Sequence, residues 1–433
     1  MPADLSTMAT LLKEDYGVGL KNQLADETPV LDLFEREDNA TWEGREHVEA
    51  VHVNRNRGVY ASAEGGAQPT AGNQQIENLR IPIRYMHGGI SITTQLIKAS
   101  RSNKGSFARG MQLEMDRLLD DLRVQRLFYI WHDGRGVRAL ANGDPGTDTT
   151  MELDSPGGVT GADHGTRFLN VGDQIAWVNP ASGALRTGGT RRITAIASGG
   201  LSVTVSAALE TTTSDNDYIV KAYGADASVT LANTEWQHPP MGFLGMIDNG
   251  TFVNTYFNLS RSAFPILQST DINNVGGLSA DILQRAQDVA LQVGNCKTAY
   301  HLTHPDTRRA YLTVMENDRR YMGPALRNPD AGTVAFKGGY NSGLAFGEVP
   351  ILVDPFCPYG MWYGFDNRSA VRFVMSDGEW ADEDGAVLRA VGSTAVDTWD
   401  ATYRIYENFA LLRPNQSFRL RGISTTFVIA HIV

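Results

Sequence analysis

The stretch Ser106 to Trp131, SFARGMQLEMDRLLDDLRVQRLFYIW, constrains the fold more than any other. Phe107, Met111, Met115, Leu118 and Leu122 recur at steps of three and four, which places apolar side chains on one stripe of a helix. Arg109, Glu114, Arg117, Asp120, Asp121 and Arg123 occupy the rest of its surface. No Pro or Gly interrupts the pattern after Gly110, and Gly134 and Gly136 stop it. At 1.5 Å per residue such a helix is about 40 Å long. A helix of that length with one narrow stripe has to lie along something.

The 433-residue chain has no apolar run near the length of a membrane span and no basic segment followed by an apolar block at its start. Cys296 and Cys357 are its only cysteines, too few for a disulfide framework, and a reducing compartment is expected. The net charge of −11 argues against a protein whose main task is gripping nucleic acid, because phosphate affinity comes from clustered Lys and Arg. An acidic wall would instead let packed DNA slide.

In chain order, residues 1–45 read as an arm, with Leu5, Met8, Leu11 and Leu12 suggesting one short helix. Val30, Leu31, Leu33 and Phe34 suggest another after Pro29. The arm is either a frayed terminus or a segment packed on a neighbour. Residues 46–97 read as a long hairpin. Leu79, Ile81, Ile83 and Tyr85 alternate with Arg80, Pro82 and Arg84 at the period of a strand. Its polar tip, residues 58–75, is either disordered or laid across another subunit. Residues 98–149 hold the long helix and a surface connection. Residues 150–235 contain short strands about ten residues apart, the pattern of a small inserted β-barrel or meander. Residues 236–395 are mixed α and β, with Ser279 capping one helix and Pro305 opening another. Residues 396–433 return to long strands carrying Trp399, Tyr403, Ile405, Phe409 and Leu411. They end in an apolar segment with Phe427, Val428, Ile429, Ile432 and Val433 that needs cover. The fold class is α+β.

Catalytic patterns are weak. No phosphate-binding loop and no dinucleotide fingerprint is present. Gly339 to Gly343, GYNSG, has its Ser one place off a nucleophile elbow. His301 and His304 lack a third ligand, and capping and packing roles suit them better than zinc. Asp382, Glu383 and Asp384 read as a solvated turn, because the alternating ligands of a calcium loop are missing. No enzyme activity, catalytic residue, metal or cofactor is expected.

The order of elements carries the strongest information: an arm, a polar-tipped hairpin, a long helix, a mixed α/β part and a return to β strands. In that order the chain resembles the tailed-bacteriophage major capsid proteins, the Hong Kong 97-like fold family that encapsulin shells share. Residues 106–131 look like its spine helix, and THPDTRRAYL (303–312) is similar to its axial strand-to-helix turn. FGEVPILVDPF (346–356) is similar to a strand that the family carries there, and residues 397–423 resemble its closing peripheral strands. The likeness excludes residues 150–235. It implies a peripheral domain built from residues 98–149 and 396–433, an axial domain over 236–395, and an extended loop over 46–97. It implies an icosahedral virion shell of pentamers and hexamers of this chain, enclosing double-stranded DNA without sequence-specific binding. Assembly would take place in the host cytoplasm with no membrane. The arm is too short for a fused scaffold, so a separate scaffolding protein is implied, alongside a portal and a decoration protein. The loop has no Lys, so covalent crosslinking through it is not expected. A cellular compartment of the encapsulin type is the alternative within this resemblance; an enzyme or binding protein using residues 150–235 as a ligand module is the alternative outside it. Arg55, Arg57, Arg80 and Arg84 are expected to meet Glu114, Asp116 or Asp120 on an adjacent subunit. The stripe of Met111, Met115, Leu118 and Leu122 is expected to pack on the strands from Trp399 onward.

Overall fold

The computed structural model describes residues 30, 33–36, 45–67, 70–99, 110–143, 146, 148–156, 165–208, 213–223, 229–318, 344–382, 387–390 and 397–425. The chain divides into two compact units. One comprises the described parts of His87–Val124 and Gly378–Arg404; the other comprises those of Glu27–Met86, Gln125–Asp377 and Ile405–Val433.

Chain order begins with β1 (Glu35–Arg36), just after the second short helix expected over Val30, Leu31, Leu33 and Phe34, of which Leu31 lies outside the described residues. Val30 and Phe34 are buried as anchors, and Phe34 packs on Phe243 and Phe409 at ring distances of 5.2 and 5.0 Å. Burying two such side chains contributes about 1.5–3 kcal/mol each. β2 (Glu46–Asn54) and β3 (Gln75–Pro82) form the antiparallel hairpin. β4 (Arg84–Thr93) follows at once, and α1 (Thr94–Ala99) closes this part. Leu79, Ile81 and Ile83 are buried in alternation as expected, but the phase then slips: Met86 is buried and Tyr85 is 54% exposed. Pro82 lacks an N–H and ends the ladder, so β4 starts on a new phase. Tyr85 packs edge-on against Tyr406 at 4.9 Å instead.

The long helix, α2, runs over Gly110–Trp131 and is about 33 Å long; its expected start at Ser106 lies outside the described residues. Within the first unit, Leu118 and Leu122 sit on β4. A Cβ at Gly88 would come within 2.9 Å of Leu118 Cδ1 and 2.8 Å of Leu122 Cδ1. Leu118 and Leu122 of the stripe thus lie against β4, where the sequence reading expected the strands from Trp399 onward; β4 itself pairs with the closing strand. Met115 is half-buried, and the side chain of Met111 lies outside the described residues.

Past Gly134 and Gly136 the chain enters a closed antiparallel barrel. Its strands are β5 (Val137–Asn142), β6 (Thr150–Asp154), β7 (Gln174–Val178), β8 (Leu185–Ile196), β9 (Ser202–Val205) and β10 (Tyr218–Lys221). The order round the barrel is β10-β5-β6-β9-β8-β7. β5 lies in a stretch read from sequence as a surface connection. Its six residues sit between glycine turns, and its pairing with β10 joins positions about eighty residues apart, as in Tyr218 opposite Leu140. Met151, Leu153, Ile175, Trp177, Val203 and Ile219 fill the interior, so among the described residues the barrel is a packed core.

The mixed part begins with α3 (Phe243–Met246) and the tight hairpin β11 (Thr255–Tyr256) and β12 (Leu259–Ser260). It continues through β13 (Thr270–Ile272), α4 (Ala280–Gly294), β14 (Tyr300–Thr303), α5 (Pro305–Asp318), β15 (Ala345–Phe346), β16 (Val349–Val353) and β17 (Trp362–Phe365). Ser279 caps α4 by accepting the Ile282 N–H, and Asn295 ends it in a left-handed conformation at φ 53°. A Cβ at Gly294 would lie 2.1 Å from the Asn415 carbonyl oxygen, so the helix end needs glycine there. β18 (Ala370–Trp380), β19 (Arg389–Ala390), β20 (Thr398–Leu411) and β21 (Ser417–Leu420) complete the chain. The six-stranded sheet has the order β13-β21-β17-β14-β16-β15. α4 and α5 bury Leu283, Ala286, Ala290 and Tyr311 against its Ile351, Trp362, Phe418 and Leu420.

Phe243 ties the second unit together. Its ring lies 5.3 Å from Trp131 at the helix end, 5.3 Å from Phe365 on β17 and 5.2 Å from Phe34 of the arm.

Candidate assembly surface

The hairpin β2–β3 is held at its base by two side-chain amides, one exposed and one buried. Asn258 stands in the turn between β11 and β12, beside Phe257 at φ 55°. Its Oδ1 accepts the Arg80 N–H at 2.7 Å and its Nδ2 donates to the Asn78 carbonyl at 2.9 Å. Asn408 on β20 donates to the Pro82 carbonyl at 2.7 Å and accepts the Met241 N–H at 2.9 Å. The His47 ring lies 4.6 Å from Phe373. The sequence offered little sign of these pins beyond an Asn in a short turn.

Beyond the base the ribbon presents apolar surface: Val48 is 48% exposed, Ile76 61% and Val59, at the tip, 83%. The tip is closed by polar contacts rather than by a core. Asn56 Nδ2 donates to the Gly72 carbonyl at 2.8 Å, and Asn56 Oδ1 accepts the Gly58 N–H at 2.7 Å. Val53 is buried on the same ribbon, and exposed apolar side chains grouped in this way make a candidate interaction surface.

The residues expected to make inter-subunit contacts fall into two groups. Arg55 and Arg57 are exposed near the tip. Arg80 is 58% exposed and lies 3.6 Å from Glu46, too loose a pair to hold it. Arg84 is committed internally: its Nη1 donates to the Gln237 carbonyl at 2.9 Å, and burial lowers its pKa from the usual guanidinium value. On α2, Glu114 and Asp116 are exposed, while Asp120 pairs with Arg117 at 3.1 Å one helical turn away. Arg55, Arg57, Arg80, Glu114 and Asp116 thus remain the members of the set that face solvent in the single chain.

The histidines of the HLTH stretch are structural. His301 Nδ1 accepts the Trp362 indole N–H at 3.1 Å, Gln287 Nε2 lies 3.0 Å from His301 Nε2, and burial pushes its pKa down to about 3. His304 Nδ1 accepts the Asp306 N–H at 3.2 Å. GYNSG, Glu383 and Asp384 lie outside the described residues.

Among solved structures, the chain matches a capsid chain of cyanophage A-1(L) with a TM-score of 0.51 at 12% identity, over 96% of this chain and 98% of that one. The chain has the Hong Kong 97-like capsid fold. Gordonia phage Cozz matches at a TM-score of 0.49 and 9% identity, over 98% of this chain and 96% of that one. The SrpI encapsulin of Synechococcus elongatus matches at 0.45 and 10%, over 100% of this chain and 99% of that one. No family model and no curated protein sequence matches the chain.

Proposed function

We propose that this chain is the major capsid protein of a tailed bacteriophage, a structural subunit that assembles with copies of itself into a closed icosahedral shell around double-stranded DNA. The supporting observation is the capsid fold over nearly the full length of the chain, joined to a ribbon with exposed apolar side chains. On this reading residues 46–97 are the extended loop, α2 is the spine helix and residues 236–395 are the axial domain. The loop carries Arg55, Arg57 and Arg80 toward Glu114 and Asp116 of the adjacent subunit. Each such exposed pair contributes little alone, and repetition over a closed lattice adds them up. A net charge of −11 suits a shell that encloses DNA without gripping it.

The test is the content of particles isolated from producing cells and treated with nuclease. Protected double-stranded DNA of uniform length supports the reading. Particles that hold protein and no DNA would replace it with a cellular compartment.

A further inference from the structure

One groove of the second unit has no role in the hairpin's own anchoring. It has a volume of about 430 Å³ and runs along the outer edge of β2. Ala50, Val51 and His52 form one wall; Leu412, Arg413 and Ile266 are on the other. β2 pairs with β3 alone among the described residues, so one row of its backbone N–H and C=O groups faces this groove. Ile266, on the facing wall, is 39% exposed beside the buried Leu267, and Pro414 of the neighbouring turn is buried. An open strand edge beside apolar side chains accepts one more extended segment.

We propose that the groove takes residues 426–433 of a second copy of this chain, TFVIAHIV, as an added strand on β2. The inference rests on the self-association proposed above. Three observations select this occupant. The segment carries no charged side chain, and five of its eight residues are β-branched, the composition that best suits a strand on a half-apolar edge. Eight extended residues span about 26 Å, more than the four residues of β2 that line the groove require. The last described residues lead away from the groove: the chain passes Gln416, runs the length of β21, and places Ser424 beside Gly276 through an N–H···O bond of 2.8 Å. Ser424 thus lies beyond the opposite end of β21 from residues 412–416, which line the groove. A second copy is the partner that this geometry leaves.

Two full-length chains carrying different tags test the proposal, one with Ile266→Cys and the other with Ile429→Cys, mixed under mild oxidation. The native Cys296 and Cys357 are buried. A disulfide between the two tagged chains is expected, and it should vanish when Val59→Cys at the hairpin tip replaces Ile266→Cys. In parallel, a fluorescent peptide of residues 424–433 is titrated by anisotropy against the chain. Saturable binding is expected, weakened about tenfold or more by Ile266→Asp. A disulfide that forms only within a doubly substituted chain would overturn the second-copy assignment. Saturable peptide binding in the absence of particles would uphold the groove while removing the shell reading. Particles without crosslink or peptide binding would overturn the groove and leave the shell reading standing.

Discussion

Arg126 on α2 grips Glu407 on β20 with two parallel N–H···O contacts, Nε to Oε1 and Nη2 to Oε2, each 2.5 Å long. Glu407 is fully buried, and its Oε2 also accepts Arg372 Nε of β18 at 2.7 Å. Arg372 in turn pairs with Asp377. The C-terminal end of the long helix is therefore joined to the closing strand by a buried ion network as well as by the aromatic cluster around Phe243.

Removing the carboxylate leaves two arginines in a protein environment without their partner. Glu407→Ala is predicted to lower stability by about 3–5 kcal/mol, read as a shift of the urea midpoint. Glu407→Gln keeps the shape and some hydrogen bonds and is expected to lose less.

Gly88 lets β4 lie directly on the helix. Gly88→Val is predicted to cost about 1–3 kcal/mol through overpacking against Leu118 and Leu122. Leu122→Ala in the same chain should recover part of that loss. A double-mutant cycle in urea measures the coupling, and simple additivity would contradict the contact.

Two buried histidines give the fold an acid limit. Burial pushes His132 down to about 4 and His301 to about 3. His132 Nδ1 donates to the Phe128 carbonyl at 2.6 Å, and the ring lies 3.8 Å from that of Phe128. Both rings stay neutral in the folded chain while the unfolded chain takes up protons below about pH 6.5. Their contribution is fully present above pH 6.5 and is lost as the pH falls toward 4. Urea midpoints are expected to drop between pH 7 and 4.5, and His132→Gln should flatten that slope at the expense of stability at pH 7.

Much of this architecture is legible in the residues. The long helix, the alternation from Leu79 to Ile83, the barrel strands from Gln174 onward, the Ser279 cap and the Pro305 start all follow from local periodicity or backbone chemistry. What is not legible depends on distant pairing. β5 is defined by β10, and the phase slip after Pro82 is settled where Tyr85 meets Tyr406. Charged residues mislead most. Arg419 is fully buried because Asp248 and Asp271, lying 171 and 148 residues away, meet it at 2.9 and 2.8 Å. Arg261 is buried by donating to the carbonyls of Gly245, Met246, Val253 and Leu267. At the candidate surface, Arg55 and Arg57 are exposed. The commitment of Arg84 to Gln237 and of Asp120 to Arg117 could not be read from spacing alone.

Charge reversal separates assembly from folding. Arg55→Glu with Arg57→Glu is predicted to reduce particle yield severalfold while moving the urea midpoint by no more than about 0.5 kcal/mol per site. Arg84→Glu should lower stability as well, because it removes the bond to Gln237.

The most direct measurement is the size of the purified chain under assembly conditions, by size-exclusion chromatography with light scattering and negative-stain microscopy. Closed, uniform shells built from the 47.3 kDa subunit are the predicted result. A stable monomer that forms no large particles over a range of salt and protein concentrations, with or without a co-expressed scaffold, would contradict the account.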